Sequence, residues 1–447
     1  MAVSKPILIL VLCFPLTLFA GPSFAATPET LWPQFRGPQG NGSVTQSLPT
    51  SWSEQDKVAW SAEIPGGGWS SPIAVGDRVF VTTAVSSEFE RPKGFTDGTR
   101  SMGSFYRSKP PQDPVSFEVH CLSLRDGQPL WNKQIASEKP AHKIHPSNSY
   151  ATESPTTDGK YIFVYFAAIG EVACLDTEGN EVWTRNIGAY PTANNFGTGS
   201  SLAFHGGLVF VQCDNEEQSF LVALDAKSGE DAWRTQRDGG TSWSSPVIWK
   251  NRERTELVVC GSGGVVAYEP ASGNVLWQLS GTGGAFSASP AMDNDRIYFG
   301  KSGRNSRGPL IAVDASATGN LDLDSTGTGG VSWVADTSAP GMCSPVVVNG
   351  RLFVLSRGVL SCHDASNGDR IFKSRMSGAS RVTASLWSAG DKVYALNESG
   401  ETSVIKVGDE LDVVATNLIP GLFWSTPSIV GNSLLIRDAE RLHCIRE

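Results

Sequence analysis

Basic residues are scarce in this chain of 447 residues. Lys and Arg number 36 against 45 Asp and Glu, so the formal net charge is −9. A protein that binds nucleic acid through its phosphates needs a basic face, and this balance argues against one. We therefore expect no nucleic-acid partner.

Long apolar runs are also lacking. The longest extends from Ile7 to Ala20, follows Lys5 and precedes Ser23-Phe24-Ala25. It is too short to span a bilayer and is typical of a secretory signal. Cys13 follows Leu12 rather than a small residue, so no lipid anchor is indicated. We predict a signal peptide over 1–25, a periplasmic or secreted product, and no transmembrane segment.

The cysteines form no recognisable pair or metal motif. Eight are present, seven of them after the predicted signal, and none forms Cys-x-x-Cys. Four occupy one position of a sequence repeat that elsewhere holds Ala; they are Cys121, Cys174, Cys362 and Cys444. A position that accepts Ala or Cys favours a small buried side chain. We predict buried free thiols and no metal site built from cysteine.

The dominant pattern is a repeat that contains only strand and turn signals. Its eight units open with Ser or Thr followed by Pro or Leu, at Ser71, Ser154, Ser201, Ser245, Ser289, Ser344, Ser385 and Thr426. A short run of β-branched and aromatic residues follows each opening, as in Leu208-Val-Phe-Val211. A repeat period in the forties with only β signals is typical of a propeller. We predict an all-β, eight-bladed propeller of four-stranded antiparallel blades.

Five of the units end on an aromatic residue four positions after a turn Gly, the fifth of these being Phe372 after Gly368. The predicted structural docking residues of this kind are Trp131, Trp183, Trp233 and Trp277. The eighth unit stops before its last strand, whereas residues 57–64 form a strand-like run with Trp60 in the equivalent place. We predict that this N-terminal strand completes the eighth blade and removes an exposed sheet edge.

The closing phrase Ala223-Leu-Asp-Ala-Lys-Ser-Gly-Glu-Asp-Ala-Trp233 resembles the tryptophan-docking motif of PQQ-type propeller repeats. The resemblance implies a propeller over 57–447, preceded by an extension over 26–56. The run Leu31-Trp-Pro-Gln-Phe-Arg-Gly-Pro-Gln-Gly-Asn-Gly42 is similar to the N-terminus of a bacterial secreted subfamily. The family includes quinoprotein dehydrogenases and non-enzymatic propellers such as BamB, so the fold alone leaves both functions open.

The irregular insertions fall on one predicted face of the ring. They cover 84–116, 136–149, 187–199 and 300–308. Long loops on a rigid scaffold commonly carry recognition. The tryptophans of three Trp-Ser-Ser/Thr-Pro phrases, Trp69, Trp243 and Trp424, are expected at the mouth of this face. They can stack on a ligand or pack against the neighbouring blade, and the packing interpretation is favoured.

Polar candidates lie near the same face in blades 2 to 4. They are His145, Asn148, Asn195, Asp214 and Asn215, with Glu153 close by. Their oxygens suit calcium, although the run from Asp214 to Glu217 reads more simply as a solvated hairpin tip. His145 has no carboxylate or Ser at a spacing that indicates catalysis.

Two functions remain open at this point. The first is a non-catalytic platform, expected to be a monomer, that binds a protein, peptide or glycan on the long-loop face. The alternative is a PQQ-dependent dehydrogenase with PQQ and calcium at the axis. The resemblance implies a catalytic Asp and a disulfide between adjacent cysteines for such enzymes, and this chain has no Cys-Cys dipeptide. We favour the platform.

Overall fold

The computed structural model describes residues 1, 31–88, 91–95, 97, 109–282, 284–301, 308–327, 329–378 and 381–447. The predicted signal peptide therefore lies outside the described residues, apart from Met1. The chain forms eight sheets, each built around four antiparallel strands of the repeat. Two 3-10 turns, Ala193–Asn195 and Leu323–Ser325, lie wholly within the described ranges. The predicted eight-bladed propeller is confirmed.

The blades follow one another along the chain. Blade 1 contains Ile73–Val75, Arg78–Val85, Val115–Ser123 and Pro129–Glu138. Blade 2 contains Thr156–Thr157, Tyr161–Phe166, Glu171–Asp176 and Glu181–Asn186. Blade 3 contains Ala203–His205, Leu208–Cys213, Phe220–Asp225 and Asp231–Gln236. Blade 4 contains Val247–Lys250, Thr255–Gly261, Gly264–Tyr268 and Val275–Leu279.

The second half of the ring repeats this plan. Blade 5 contains Ala291–Met292, Arg296–Gly300, Leu310–Asp314 and Val331–Ala335. Blade 6 contains Val346–Val348, Arg351–Ser356, Val359–Asp364 and Arg370–Arg375. Blade 7 contains Trp387–Ala389, Lys392–Leu396, Glu401–Lys406 and Asp412–Leu418. Blade 8 contains Ser428–Val430, Ser433–Arg437, Arg441–Ile445 and the N-terminal strand Val58–Glu63.

The N-terminal strand closes the ring as predicted. Val58–Glu63 pairs antiparallel with Arg441–Ile445, and Trp60 stands opposite Cys444. The side chains of Ser61 and His443 are in hydrogen-bond contact at 2.8 Å. The eighth blade is thereby complete, and the edge that Arg441–Ile445 would otherwise expose is paired.

The opening hydroxyls of the repeat link neighbouring blades. In six places the backbone amide of one opening residue donates to the side-chain oxygen of the next, at 2.9 to 3.0 Å. These links join Ser71 to Ser154, Ser154 to Ser201, Ser201 to Ser245, Ser245 to Ser289, Ser289 to Ser344, and Ser385 to Thr426. The recurring Ser or Thr therefore satisfies a buried amide of the adjacent blade.

The docking tryptophans fasten the outer parts of the blades. The indole nitrogen of Trp183 donates to the carbonyl of Ala226 in blade 3 at 3.0 Å. A Cβ built on Gly229 would lie 2.6 Å from the Trp183 ring, so the ring lies directly on the turn Gly. The same bond to the next blade is made by Trp60, Trp131, Trp233 and Trp333, the last of which the sequence analysis did not include.

Trp277 departs from this arrangement. Its indole nitrogen donates to Glu256 within its own blade, at 2.7 Å. Blade 5 has a long segment from Ser316 to Gly330 where the other blades have a tight Gly turn, and its strand Gly319–Leu321 pairs in parallel with Trp277–Leu279. The long segment thus replaces the turn that would have received the indole.

The Ala or Cys position lies opposite the docking aromatic residue. Cys121 pairs with Trp131, Cys174 with Trp183, and Cys362 with Phe372. The seven described cysteines are free and buried. A small side chain is required here because the adjacent aromatic ring occupies the space between two blades.

The extension before Val58 contacts the first strands of several blades, which are the strands nearest the centre of the ring. Leu31–Trp32 pairs with the first strand of blade 1, and Ser43–Val44 pairs in parallel with the first strand of blade 7. Between them the Pro33 carbonyl accepts from the amide of Thr157 in blade 2, at 2.8 Å. We call residues 31–44 the plug segment, because they span the ring at the end opposite the long loops.

Arg36 lies at the centre of the plug segment and is 1% exposed. Its guanidinium donates to the carbonyls of Asn41 at 2.8 Å, Pro290 at 2.6 Å and Pro345. The last two open blades 5 and 6, across the ring from blade 1. Burial lowers the pKa of Arg36 to about 9. The plug segment therefore fills one end of the central channel with a side chain that holds backbone carbonyls.

Candidate binding face

The four predicted insertions are described to different extents. Residues 136–149 and 187–199 are described in full, whereas 89–90, 96, 98–108 and 302–307 lie outside the described residues. Much of the two insertions over 84–116 and 300–308 therefore lies outside the described residues. The remaining part of the first one, residues 91–95 and 97, makes defined contacts with other blades.

Two of the three mouth tryptophans are stacked on one another. The rings of Trp69 and Trp424 have centroids 5.8 Å apart and an interplanar angle of 20°. Trp69 is buried and donates to the carbonyl of Ser147 at 2.8 Å. Trp424 donates to Oε1 of Glu398 at 2.6 Å. Both rings serve packing between blades 8, 1 and 2, the interpretation that the sequence favoured.

The first insertion covers this stacked pair. The ring of Phe95 lies 4.8 Å from that of Trp424, and the Phe95 amide donates to Glu398 at 2.6 Å. The Lys93 amide donates to the carbonyl of Pro146 at 2.9 Å. These described residues therefore reach from blade 1 to the loops of blades 2, 7 and 8, and we call residues 91–95 and 97 the cover segment.

Trp243 lies apart from the stacked pair and supports a different loop. Its ring meets that of Phe196 edge-on at 6.0 Å, and its nitrogen donates to the Gly197 carbonyl at 2.7 Å. Phe196 is 40% exposed, whereas Trp243 is only partly accessible. The ring of Trp243 thus packs against Phe196, an apolar residue that faces solvent.

Three predicted polar residues hold the same loop together. The Asn148 amide nitrogen donates to the carbonyls of Phe196 at 2.8 Å and Thr198 at 2.9 Å. His145 is buried, in contact with Ser147 Oγ at 2.7 Å and with its ring 5.3 Å from Phe196. Asn195 has a positive φ of 54° in the turn before Phe196. These residues position the loop.

Asp214 and Asn215 directly follow the second strand of blade 3, which ends at Cys213. The Asp214 carboxylate forms a buried ion pair with Arg237, 2.9 Å from its Nε. The Asn215 side chain donates to the carbonyls of Cys213 at 3.0 Å and Gln218 at 2.9 Å. The sequence favoured a solvated tip, whereas both residues are buried because blades 3 and 4 pack around this hairpin.

A small cavity lies beside this hairpin, between blades 2, 3 and 4. Glu153, Tyr165, Ser200, Gln212 and Asp214 are among its lining residues, and its volume is about 20 Å³. That volume holds one or two water molecules.

Glu153 is the unusual member of the cavity wall. It is 1% exposed, and neither carboxylate oxygen has a hydrogen-bond partner of normal geometry. Burial raises the pKa of Glu153 to about 7, although the nearby Thr198 hydroxyl and surrounding backbone partly lower it. The sequence offered no signal of this isolation, since Glu153 simply precedes the opening Ser154.

Among the described residues, no group of three or more His, Cys, Asp or Glu side chains is placed to hold a metal ion. Across the residues with described positions, no helix has the length and apolar character needed to traverse a bilayer.

Comparison with known proteins places this geometry among relatives with different roles. Residues 115–327 match the family described as outer membrane protein assembly factor BamB. A polyvinylalcohol dehydrogenase from Pseudomonas sp is 24% identical over 266 aligned residues, covering 49% of this chain and 35% of the relative. The chain thus spans about a third of the length of that curated relative.

Solved structures share the architecture at low identity. BamB from Moraxella catarrhalis superposes with a TM-score of 0.56 and 12% identity, over 76% of this chain and 96% of its own. A quinohemoprotein alcohol dehydrogenase from Comamonas testosteroni gives a TM-score of 0.62 and 11% identity, over 94% of this chain and 81% of its own. Together with the eight-unit repeat, these matches show that the chain resembles PQQ-type β-propellers, in sequence over residues 115–327 and in fold over most of its length.

Proposed function

We propose that this propeller is an exported, non-catalytic binding platform that engages a protein, peptide or glycan partner through its long-loop face. The observation that carries the proposal is that both ends of the channel are occupied by the chain itself. The plug segment fills one end, and the cover segment lies over the stacked Trp69 and Trp424 at the other. Recognition is then left to the loop surface.

The loop of residues 187–199 offers the best-defined contact point on that surface. Phe196 is an exposed aromatic side chain held by Trp243 beneath it and His145 beside it. Asn148 fixes the loop backbone on both sides of Gly197. A rigidly held aromatic residue loses little entropy on binding and is the usual anchor of a protein interface. A protein or peptide partner therefore fits this face best.

The test is site-specific photo-crosslinking in cells that express the full-length chain. Benzoylphenylalanine placed at Phe196 should give a discrete adduct with one partner. The control position is Val182, which is 44% exposed on the outer strand of blade 2. Adducts from Val182 but not from Phe196 would contradict the proposal.

Two further measurements distinguish a glycan partner from a protein partner, and a binding platform from a PQQ-dependent dehydrogenase. Binding of the purified protein to a glycan array, lost in Phe196→Ala, would assign the partner as a glycan. If the platform proposal holds, calorimetric titration with PQQ and Ca²⁺ should show no stoichiometric site. A saturable micromolar site would instead establish the dehydrogenase alternative.

A further inference from the structure

Three buried groups of the cavity in blades 2 to 4 have unused hydrogen-bond acceptors. Both oxygens of Glu153, Oε1 of Gln212 and Oγ of Ser200 lack partners. The three residues are 1%, 2% and 8% exposed. Buried polar atoms are almost always satisfied by protein, water or an ion. Several such acceptors around one small cavity indicate that something with positive character occupies it.

The orientation of Gln212 is set by its other bonds. Its amide nitrogen donates to Oδ2 of Asp214 at 2.7 Å and to the carbonyl of Cys260 at 2.9 Å. Exchanging the amide nitrogen and oxygen would place an acceptor against two acceptors, so the assignment is secure. Oε1 is therefore committed to the role of acceptor.

The charge of the cavity wall is a single negative unit when Glu153 is ionised. Asp214, the other acid, is neutralised by Arg237, whose Nε and Nη2 lie 2.9 and 3.4 Å from its oxygens. The remaining wall consists of hydroxyl, amide, thiol and apolar groups, without Lys, Arg or His. Since an unpaired buried charge is costly, an ionised Glu153 would be stabilised by one compensating positive charge.

The size of the cavity restricts that charge to a small ion. A volume of about 20 Å³ admits an object about as large as one or two water molecules, and no side chain. The available oxygens are of the hard type that alkali and alkaline-earth ions prefer. Divalent ions are usually held by several carboxylates, whereas Asp214, the second acid of this wall, is already paired with Arg237.

We propose that this cavity binds one monovalent alkali cation, K⁺ or Na⁺, with Glu153 as the charged ligand and Gln212 Oε1 and Ser200 Oγ as neutral ligands. The ion would join blade 2, which Glu153 precedes, to the second strand of blade 3. Thr192 and Thr198, at the two sides of Phe196, also line the cavity. The ion is thus placed to stiffen the base of the 187–199 loop.

The experiment measures thermal unfolding of the full-length protein, after removal of alkali ions into tetramethylammonium chloride at pH 8. This pH is above the raised pKa of Glu153, so the carboxylate is available. Replacing tetramethylammonium by K⁺ or Na⁺ at constant ionic strength should raise the midpoint saturably by a few degrees. Glu153→Gln, which keeps the shape and removes the charge, should abolish the rise. The control Glu171→Gln alters a half-buried acid outside the cavity and should retain it.

Crystals of the wild-type protein grown in RbCl provide a direct readout that does not depend on a variant. An anomalous peak within bonding distance of Glu153 is expected. Identical melting in all three salts together with no rubidium peak would overturn the proposal and leave a protonated carboxyl group hydrated by water. A rise produced by micromolar Ca²⁺ and not by K⁺ or Na⁺ would overturn the assignment to a monovalent ion.

Discussion

The backbone amide of Ser71 donates a hydrogen bond to Oγ of Ser154, 2.9 Å away in the next blade. The amide of Ser154 repeats this relationship with Oγ of Ser201 at 3.0 Å. Ser154 therefore supplies an acceptor to one neighbour and a donor to the other. The repeat preserves a hydroxyl at this position because removing one leaves an amide of the adjacent blade unsatisfied.

Ser154→Ala is expected to destabilise the fold by about 1–3 kcal/mol, the cost of leaving one buried donor without an acceptor. Equilibrium denaturation measures the effect. Ser228→Ala, at an exposed turn position, is the control and should change stability by less than about 0.5 kcal/mol. Ser154→Thr keeps the hydroxyl and should retain most of the stability. Equal losses of stability in Ser154→Ala and Ser228→Ala would show that the Ser154 hydroxyl does not stabilise the contact between neighbouring blades.

Gly229→Ala and Gly206→Ala form a matched pair for the docking of Trp183. Both glycines have positive φ, 72° and 61°, so each alanine costs roughly 1–2 kcal/mol in backbone strain. A Cβ at Gly206 meets nothing within 4 Å, whereas one at Gly229 would overlap the Trp183 ring. Gly229→Ala should therefore lose about 1–3 kcal/mol more, as overpacking does. The difference between their unfolding midpoints is the measurement, and a zero difference would exclude tight docking.

The raised pKa of Glu153 predicts a fall in stability with rising pH when alkali ions are absent. The native pKa is about 7, above the ordinary value of 4.5. Between these values the native state holds a proton that the unfolded state has released, so stability declines from pH 4.5 to pH 7 and then levels. The full decline is roughly 3 kcal/mol, at 1.36 kcal/mol per unit of pKa shift. Denaturant titrations of wild type and Glu153→Gln in tetramethylammonium buffers should differ by this slope, and parallel profiles would contradict it.

The cysteines are expected to be reduced and inaccessible. Burial raises the pKa of Cys121 and of Cys174 to about 12, which keeps both thiols protonated and unreactive at neutral pH. Native protein should react with a thiol reagent at none of the seven described positions, and protein unfolded without reductant at all seven. A deficit in the unfolded sample that reductant restores would reveal a disulfide.

The repeat made most of the fold predictable from sequence. Strand runs, turn glycines and docking tryptophans recur with one spacing, and local chemistry decides each of them. The preference for Ala or Cys opposite Trp131 and its equivalents was also visible, although its cause, the aromatic ring pressed against it, required the register. The orphan strand around Trp60 was predictable because the eighth unit lacked one.

The rest depended on relationships between distant segments. Trp277 has the usual spacing, but its partner turn in blade 5 is replaced, and only the fold shows that the indole turns to Glu256. Nothing in residues 31–42 indicates that Arg36 reaches carbonyls of blades 5 and 6. Glu153 and Asp214 look alike in sequence, yet Arg237 neutralises Asp214, whereas no basic side chain lines the cavity beside Glu153. Isolation of a charge is a property of three-dimensional packing, which a spacing pattern does not encode.

Pairing of Val58–Glu63 with Arg441–Ile445 has a consequence for how the molecule is made. Ser61 and His443, which meet in that pair, are 382 residues apart along the chain. A strand that emerges early must wait unpaired until almost all of the polypeptide has followed. Such distant pairing slows folding. Until that pairing forms, the edge of Arg441–Ile445 is open, and a second chain could pair its own N-terminal strand with it. Assembly is thus most vulnerable in its last step, and dilution or a chaperone that shields Val58–Glu63 should raise the yield of correctly closed monomers.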